Sequence, residues 1–258
     1  MSDSALKPLL VSAGVAAAAL ALGVASWQAD SGGGDAAAPD RGAASASATP
    51  GGGGDGRTDH LLALARRDPQ DPFAQGRADA PVVLVEYADF RCGYCGKFAR
   101  DTEPALVKKY VDDGTLRIEW RNYPIFGAES EAAAKAAWAA GRQGRFWQFH
   151  AAAYAEGSKE KGFGDARLRE LARQAGVPDE ARFERDMKSP AAQEALQKDQ
   201  DEAYGIGVSS TPSFLVGATP IAGAQPAETF RRAVEAARDR ARAAAGATPG
   251  GTARGAAQ

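Results

Sequence analysis

Apolar residues are spaced in three different ways along this chain, and each spacing predicts a different kind of segment. From Leu9 to Trp27 they are nearly continuous, in "LLVSAGVAAAALALGVASW", with no charge anywhere between Pro8 and Ala29. In residues 28–57 no large apolar side chain occurs at all, and the composition is mostly Gly, Ala, Ser, Pro and Asp. From about Thr58 to Ala243 short β-branched runs alternate with helical spacing, which is the signature of a packed α/β region.

Within that region "DHLLALARR" predicts a short amphipathic helix with Asp59 as its N-cap. "PVVLVEYADF", Pro81 to Phe90, predicts a buried strand. A helix is expected to start at the cysteines and run to Gly114. Phe98, Leu106, Val107 and Tyr110 lie on its apolar side, and Pro104 kinks it by removing a backbone donor. "TLRIEWRNYPI" predicts a second strand with Leu116, Ile118 and Trp120 on one face. A helical block follows, broken near Gly141 and Gly144. Asp165 is read as one of its caps, Gly176 and Pro178 as a stop, and Ser189 with Pro190 as another start. "PSFLVG" and "TPIAG" return to strand character, and "PAETFRRAVEAARDRARAA" closes the region as a helix. The order is β-α-β, helical block, β-β-α.

The two flanks change the picture of where such a domain works. Nineteen residues from Leu9 to Trp27 would span roughly 28 Å as a helix, close to the ~30 Å hydrocarbon layer. Lys7 precedes this segment, residues 1–8 forming a short cytoplasmic end, while Asp30 and Asp35 follow it. That polarity places the rest of the chain outside the cytoplasm. Two readings are open: a single-pass anchor, or a signal peptide cleaved near Val24-Ala25-Ser26. Residues 28–57 are expected to be an unstructured tether with a reach on the order of 30 Å, and residues 244–258 a tail of the same kind.

Charge is nearly balanced, with 31 basic and 33 acidic residues, so a nucleic-acid partner is not expected. The chemistry sits in "DFRCGYCGKF", which holds the only two cysteines, Cys92 and Cys95. A zinc site needs four ligands, and the two histidines, His60 and His150, are far apart in sequence, so no metal is expected. His150 is read as a helix-surface or packing residue. A disulfide closing two residues constrains little of the unfolded chain, which argues against a structural staple. A redox pair fits the pattern: Cys92 falls where a strand ends and a helix begins, and unpaired amides there favour its thiolate. In such motifs the thiol pKa drops from ~8.5 to between about 3.5 and 7. Arg91 and Lys97 are candidates to lower it further. Cys95, one turn on, would be the less exposed resolving thiol.

"VEYADFRCGYCGKF", "RNYPIFG" and "GVSSTPSFLVG" together resemble the DsbA-like thiol–disulfide oxidoreductases of the thioredoxin superfamily. The likeness covers most of Pro81 to Ala243. It implies an α/β thioredoxin-like fold over residues 58–243 with a helical insertion at about 128–205. The 117 residues from Cys95 to Pro212 accommodate such an insertion. The resemblance also implies that Thr211–Pro212 is a cis peptide facing the cysteines, against the ordinary trans preference. Thr211, Pro212, Gly93 and Tyr94 would then meet the substrate. Glu86, six residues before Cys92, would be a buried acid relaying a proton to or from Cys95; the alternative is a solvated edge residue.

The implied activity is introduction of disulfides into exported cysteine-containing proteins by a monomer. A membrane redox partner would recycle the site, which needs no cofactor beyond the Cys92–Cys95 pair. Gly93-Tyr94, with Thr before the proline, is also similar to the DsbC-type isomerases, so a reductase or isomerase is the alternative. Those isomerases dimerise through a separate N-terminal domain that residues 28–57 cannot form. A non-catalytic thioredoxin-like binding or chaperone module is the third reading.

Overall fold

The computed structural model describes residues 53–246. The segment 9–27, most of the expected tether and residues 247–258 of the expected tail therefore lie outside the described residues, while 244–246, expected in the tail, end the last helix. Among the described residues no helix is long and apolar enough to cross a membrane. The first helix, α1 (Gly53–Leu62), begins inside the expected tether. Asp59 is thus an interior residue rather than the N-cap. Leu61 near the end of this helix, with Leu64 and Ala65 just beyond it, packs onto the sheet.

Strand β1 (Ala74–Gln75) is a two-residue edge, and β2 (Val82–Ala88) is the centre of the sheet, buried along its whole length. Helix α2 (Gly93–Asp101) ends at Thr102, whose amide bonds the Phe98 carbonyl. The chain restarts as α3 (Glu103–Leu106) and runs into a π-helical turn at Val107–Val111. The single kinked helix expected here is two helices and a turn, because Pro104 at the start of α3 cannot continue the α2 ladder. Gly114, at φ +78°, makes the left-handed turn into β3 (Leu116–Asn122).

Five helices then leave the sheet: α4 (Ala128–Gly141), α5 (Phe146–Tyr154), α6 (Asp165–Gln174), α7 (Glu180–Met187) and α8 (Pro190–Gly205). Asp165 is the first residue of α6 and Gly164 is its cap, one position from the expectation. Ser189 caps α8 by accepting from the Ala192 amide, with Pro190 at the first helical position. Strands β4 (Ser213–Val216) and β5 (Thr219–Ala222) and helix α9 (Ala227–Gly246) complete the fold. The sheet order is β1-β3-β2-β4-β5. Only β2 and β3 are parallel, joined by the α2–α3 crossover.

Alternation along the strands sends side chains to two different layers. Val82, Leu84, Leu116, Ile118, Phe214 and Val216 pack beneath α2 and α9 against Phe98, Phe230 and Val234. Val83, Val85, Tyr87 and Leu215 face α1 and the end of α8. A third core lies in the helical insertion. There the alanines of α4 allow close packing against Phe146, Phe149, Leu168, Leu171 and Phe183.

The face of β3 opposite Leu116 and Ile118 is buried too, although it carries Arg117, Glu119 and Arg121. One oxygen of Glu119 accepts from the Arg67 amide at 2.8 Å and Arg117 Nε at 2.9 Å. The other accepts from the Arg66 amide and Arg121 Nη2, both at 2.9 Å. Arg66 reaches Asp199 and Glu202 of α8, and Arg121 Nε reaches Glu202 at 2.9 Å. Three guanidinium and three carboxylate groups thus tie the segment after α1, β3 and α8 together. Although burial raises the Glu119 carboxyl's pKa, the Arg66 amide and the guanidinium groups of Arg121 and Arg117 outweigh that effect. They hold it at about 2.

Candidate active site

β2 runs out at Ala88, and Asp89 organises the turn that follows. Its carboxylate accepts from the amides of Arg91 (2.7 Å), Ile125 (2.7 Å) and Phe126 (3.2 Å). This fastens the "YPIFG" loop beside the cysteines. Its carbonyl accepts from the Cys92 amide (2.9 Å) and from the Tyr154 hydroxyl (2.9 Å) of α5. The chain therefore enters α2 with Cys92 as N-cap, in extended conformation, and the Cys92 sulfur accepts from the Cys95 amide at 3.4 Å.

Both cysteines are free thiols, and both are buried. Their environments push them in opposite directions. Donation from the Cys95 thiol favours the Cys92 thiolate and outweighs burial. The amides of Cys95 and Tyr94 add to it, and Cys92 comes down to about 6. At that value about nine-tenths of Cys92 is thiolate at pH 7. Burial raises Cys95 instead, reinforced by the Cys92 sulfur and by Glu86. Arg91 and Lys97 take no part in this. Arg91 pairs with Glu129, and Lys97 pairs with Asp101 at 2.5 Å, so the expected cationic assistance is replaced by hydrogen bonds.

The Thr211–Pro212 peptide is cis, and the Thr211 carbonyl accepts from the Cys92 thiol at 3.2 Å. Gly93 and Tyr94 form the first turn of α2, with Tyr94 68% exposed. Glu86 is 1% exposed and both of its carboxyl oxygens lack a partner. Burial, then the nearby Glu103 and Cys92, raise its pKa well above the carboxylate range. An edge-facing, solvated Glu86 is thereby excluded. His150 is a packing residue, not a surface one: it sits among Phe90, Trp120, Phe146 and Tyr154, and burial lowers it to about 3.

Three residues of this neighbourhood carried no signal in the sequence. Tyr154 stacks on Phe90 with centroids 5.1 Å apart. Lys159 reaches over the first turn of α2, its Nζ 3.3 Å from where a β-carbon on Gly93 would stand. With Arg100, Glu156 and Glu160 it lines a cavity of about 390 Å³ that opens onto Cys92. Glu103 lies at the start of α3, beside Gln75 and His150. The first two come from the helical insertion, whose position over the cysteines no local pattern specifies.

The buried acid has a measurable cost. Between the ordinary carboxylate pKa and the raised folded value, the native state binds the extra proton, so Glu86 makes stability fall as pH rises through that window. Glu86→Gln is therefore expected to raise Tm at pH 8 by roughly 2–4 °C or more. The gain should shrink toward pH 4 in calorimetric melts; a gain independent of pH would show that the acid is not the cause.

The chain matches the thioredoxin family model over residues 68–236. It belongs to the thioredoxin family. Within that fold, α4–α8 stand between β3 and β4 as the helical insertion of the DsbA-like arrangement. Probable disulfide bond formation protein D of Bacillus anthracis is 31% identical over 147 residues, covering 55% of this chain and 67% of that protein. The crystal structure of a thioredoxin-like oxidoreductase from Silicibacter pomeroyi DSS-3 superposes with a TM-score of 0.60 at 30% identity. That match covers 70% of this chain and 97% of that one. Na(+)/H(+) antiporter NhaA 3 of Salinispora tropica is 34% identical over 151 residues, 58% of this chain. The match spans only 22% of the antiporter's length.

Proposed function

We propose that this protein is a thiol–disulfide oxidoreductase that introduces disulfides into exported proteins. The observation that carries the reading is the division of labour at the C-x-x-C: an activated Cys92 at about 6 against a buried Cys95 raised above its ordinary value. In the oxidised enzyme a substrate thiolate attacks Cys92 Sγ. That breaks the Cys92–Cys95 bond and releases Cys95 as a thiolate, which takes up a proton. A second substrate thiolate attacks the substrate's sulfur in the mixed disulfide, the substrate disulfide forms, and Cys92 leaves as its thiolate. Two electrons then rest on the dithiol, and a membrane redox partner accepts them. No cofactor beyond the cysteine pair is required for these steps.

Thr211, beside the Cys92 sulfur, supplies the backbone against which a substrate strand lies, with Pro212, Gly93 and Tyr94 around the point of attack. We place the domain outside the cytoplasm as a monomer. It is held to the membrane by residues 9–27 and a tether, or released if that segment is cleaved. The match to the antiporter spans only 22% of that protein's length, and we carry no transport activity over to this chain.

A thiolate at about 6 lies closer to the ~7 of reducing thioredoxins than to the ~3.5 of the strongest oxidants, and this supports the reductase or isomerase as second reading. Equilibration with glutathione separates the two. The expected potential of the Cys92–Cys95 couple lies between about −270 and −120 mV, on the oxidising side of thioredoxin. A value at or below about −270 mV would overturn the oxidase. A binding or chaperone module would show no exchange at all.

A further inference from the structure

Cys95 must gain or lose a proton in every turnover, yet it is fully buried. Glu86 is the neighbouring acid, and it is sealed as well, with neither oxygen partnered. A second buried carboxyl lies beyond it. Glu103, 6% exposed at the start of α3, is brought toward Glu86 by the packing between them: Glu86 pairs with Trp120 across β2 and β3, and His150, beside Glu103, packs on Trp120 with centroids 5.1 Å apart. One of its oxygens accepts from Gln75 Nε2 at 2.8 Å, and the other is 3.9 Å from His150 Nε2, itself without a partner. Glu103 also forms part of the wall of a groove of about 450 Å³ between α3 and α5. This groove and the mouth cavity at Cys92 share Arg100 and Tyr154, and Arg100 Nη1 donates to the Tyr154 carbonyl at 2.7 Å between them.

We propose that Glu103 links Glu86 to the α3–α5 groove, so that the Cys95 proton travels through the back of the domain and not past the bound substrate. This rests on the oxidoreductase reading above. When Cys95 is released as a thiolate, the Glu86 carboxyl gives it a proton. Glu103 reprotonates Glu86 through one intervening water, since neither Glu86 oxygen touches it directly, and water in the groove reprotonates Glu103; the reverse order carries the proton out. Burial raises Glu103 to about 7, which suits a group that must bind and release a proton near neutrality. The groups facing the path are few. Cys92, Cys95 and Tyr154 face Glu86, and Gln75 and His150 face Glu103. Arg100, Lys108 and Asp112 stand at the groove wall. His150, held neutral by burial, leaves Glu103 without a fixed counter-charge that would trap its proton.

Glu103 acts through Glu86 and is a positioning residue for the proton, so the test must read the Cys95 step alone. Reduced full-length protein is mixed with oxidised glutathione and quenched at intervals. This resolves attack by Cys92 to give the mixed disulfide, then attack by Cys95 to close the internal bond. In Glu103→Gln the second step is expected to slow about ten- to hundred-fold and to lose its inflection near pH 7. The first step and the Cys92 thiolate absorbance titration should be unchanged, and Glu103→Asp should restore most of the rate. An unchanged second step and pH profile would overturn the path. Equal slowing of both steps would also overturn it, by showing a structural role. Failure of the wild type to form the mixed disulfide would instead overturn the oxidoreductase reading.

Discussion

Cys92→Ser is expected to abolish thiol–disulfide exchange, while Cys95→Ser is expected to keep the first half of the reaction and stall there. The asymmetry follows from position. Cys92 caps α2, where the Cys95 thiol and the amides of Cys95 and Tyr94 stabilise its thiolate, so it is the nucleophilic thiol at neutral pH. Serine at 92 keeps the cap but has no accessible anion, and the rate of reduced-RNase reoxidation should fall to the uncatalysed level. Serine at 95 leaves an activated Cys92 with nothing to resolve it, so mixed disulfides with substrates should accumulate. They should appear on non-reducing gels and disappear with dithiothreitol. Residual turnover in Cys92→Ser, or trapping through Cys95 in that variant, would reverse the assignment of roles. Iodoacetamide should label wild-type Cys92 with a midpoint near pH 6, and a midpoint above pH 8 would remove the physical basis of the reading.

Glu119→Ala is expected to cost about 3–5 kcal/mol, the range for breaking a buried ion pair from one side. The substitution strands the guanidinium groups of Arg117 and Arg121 and frees the amides of Arg66 and Arg67. For a domain of this size that is a fall in Tm of roughly 6–20 °C. The pH dependence has a definite sign. The folded pKa, at about 2, is below the unfolded carboxylate value, so the contribution of Glu119 is fully present above about pH 4.5. It is lost as pH falls toward 2. Wild type and variant should therefore converge in acid. A Tm within 2 °C of wild type at pH 7 would show that the network is replaceable by solvent.

Much of this molecule was legible in the sequence because its signals are local. The Pro81–Phe90 run became the central strand. Ser189-Pro190 started α8, and the C-x-x-C fell at a strand-to-helix junction as read. Boundaries set by packing were less legible. Helix α1 extends ahead of Asp59, and the helix after the cysteines is two helices and a π-helical turn. The alternating Arg117-Glu119-Arg121 face looks like a solvated strand face from sequence. It is buried because Arg66, Asp199 and Glu202 arrive from both flanks of the domain to neutralise it.

By itself the sequence determined that the C-x-x-C stands at a strand-to-helix junction, and the order of elements around it, since each depends on residues within a few positions of one another. The tertiary structure decided what surrounds the cysteines. Arg91 pairs with Glu129, the Thr211 carbonyl meets the Cys92 sulfur, and Glu86 is sealed between the sheet and α2 with neither oxygen partnered. The Arg91–Glu129 and Cys92–Thr211 contacts join residues 38 and 119 positions apart. Distances between such groups are set by how layers pack, which no local pattern records.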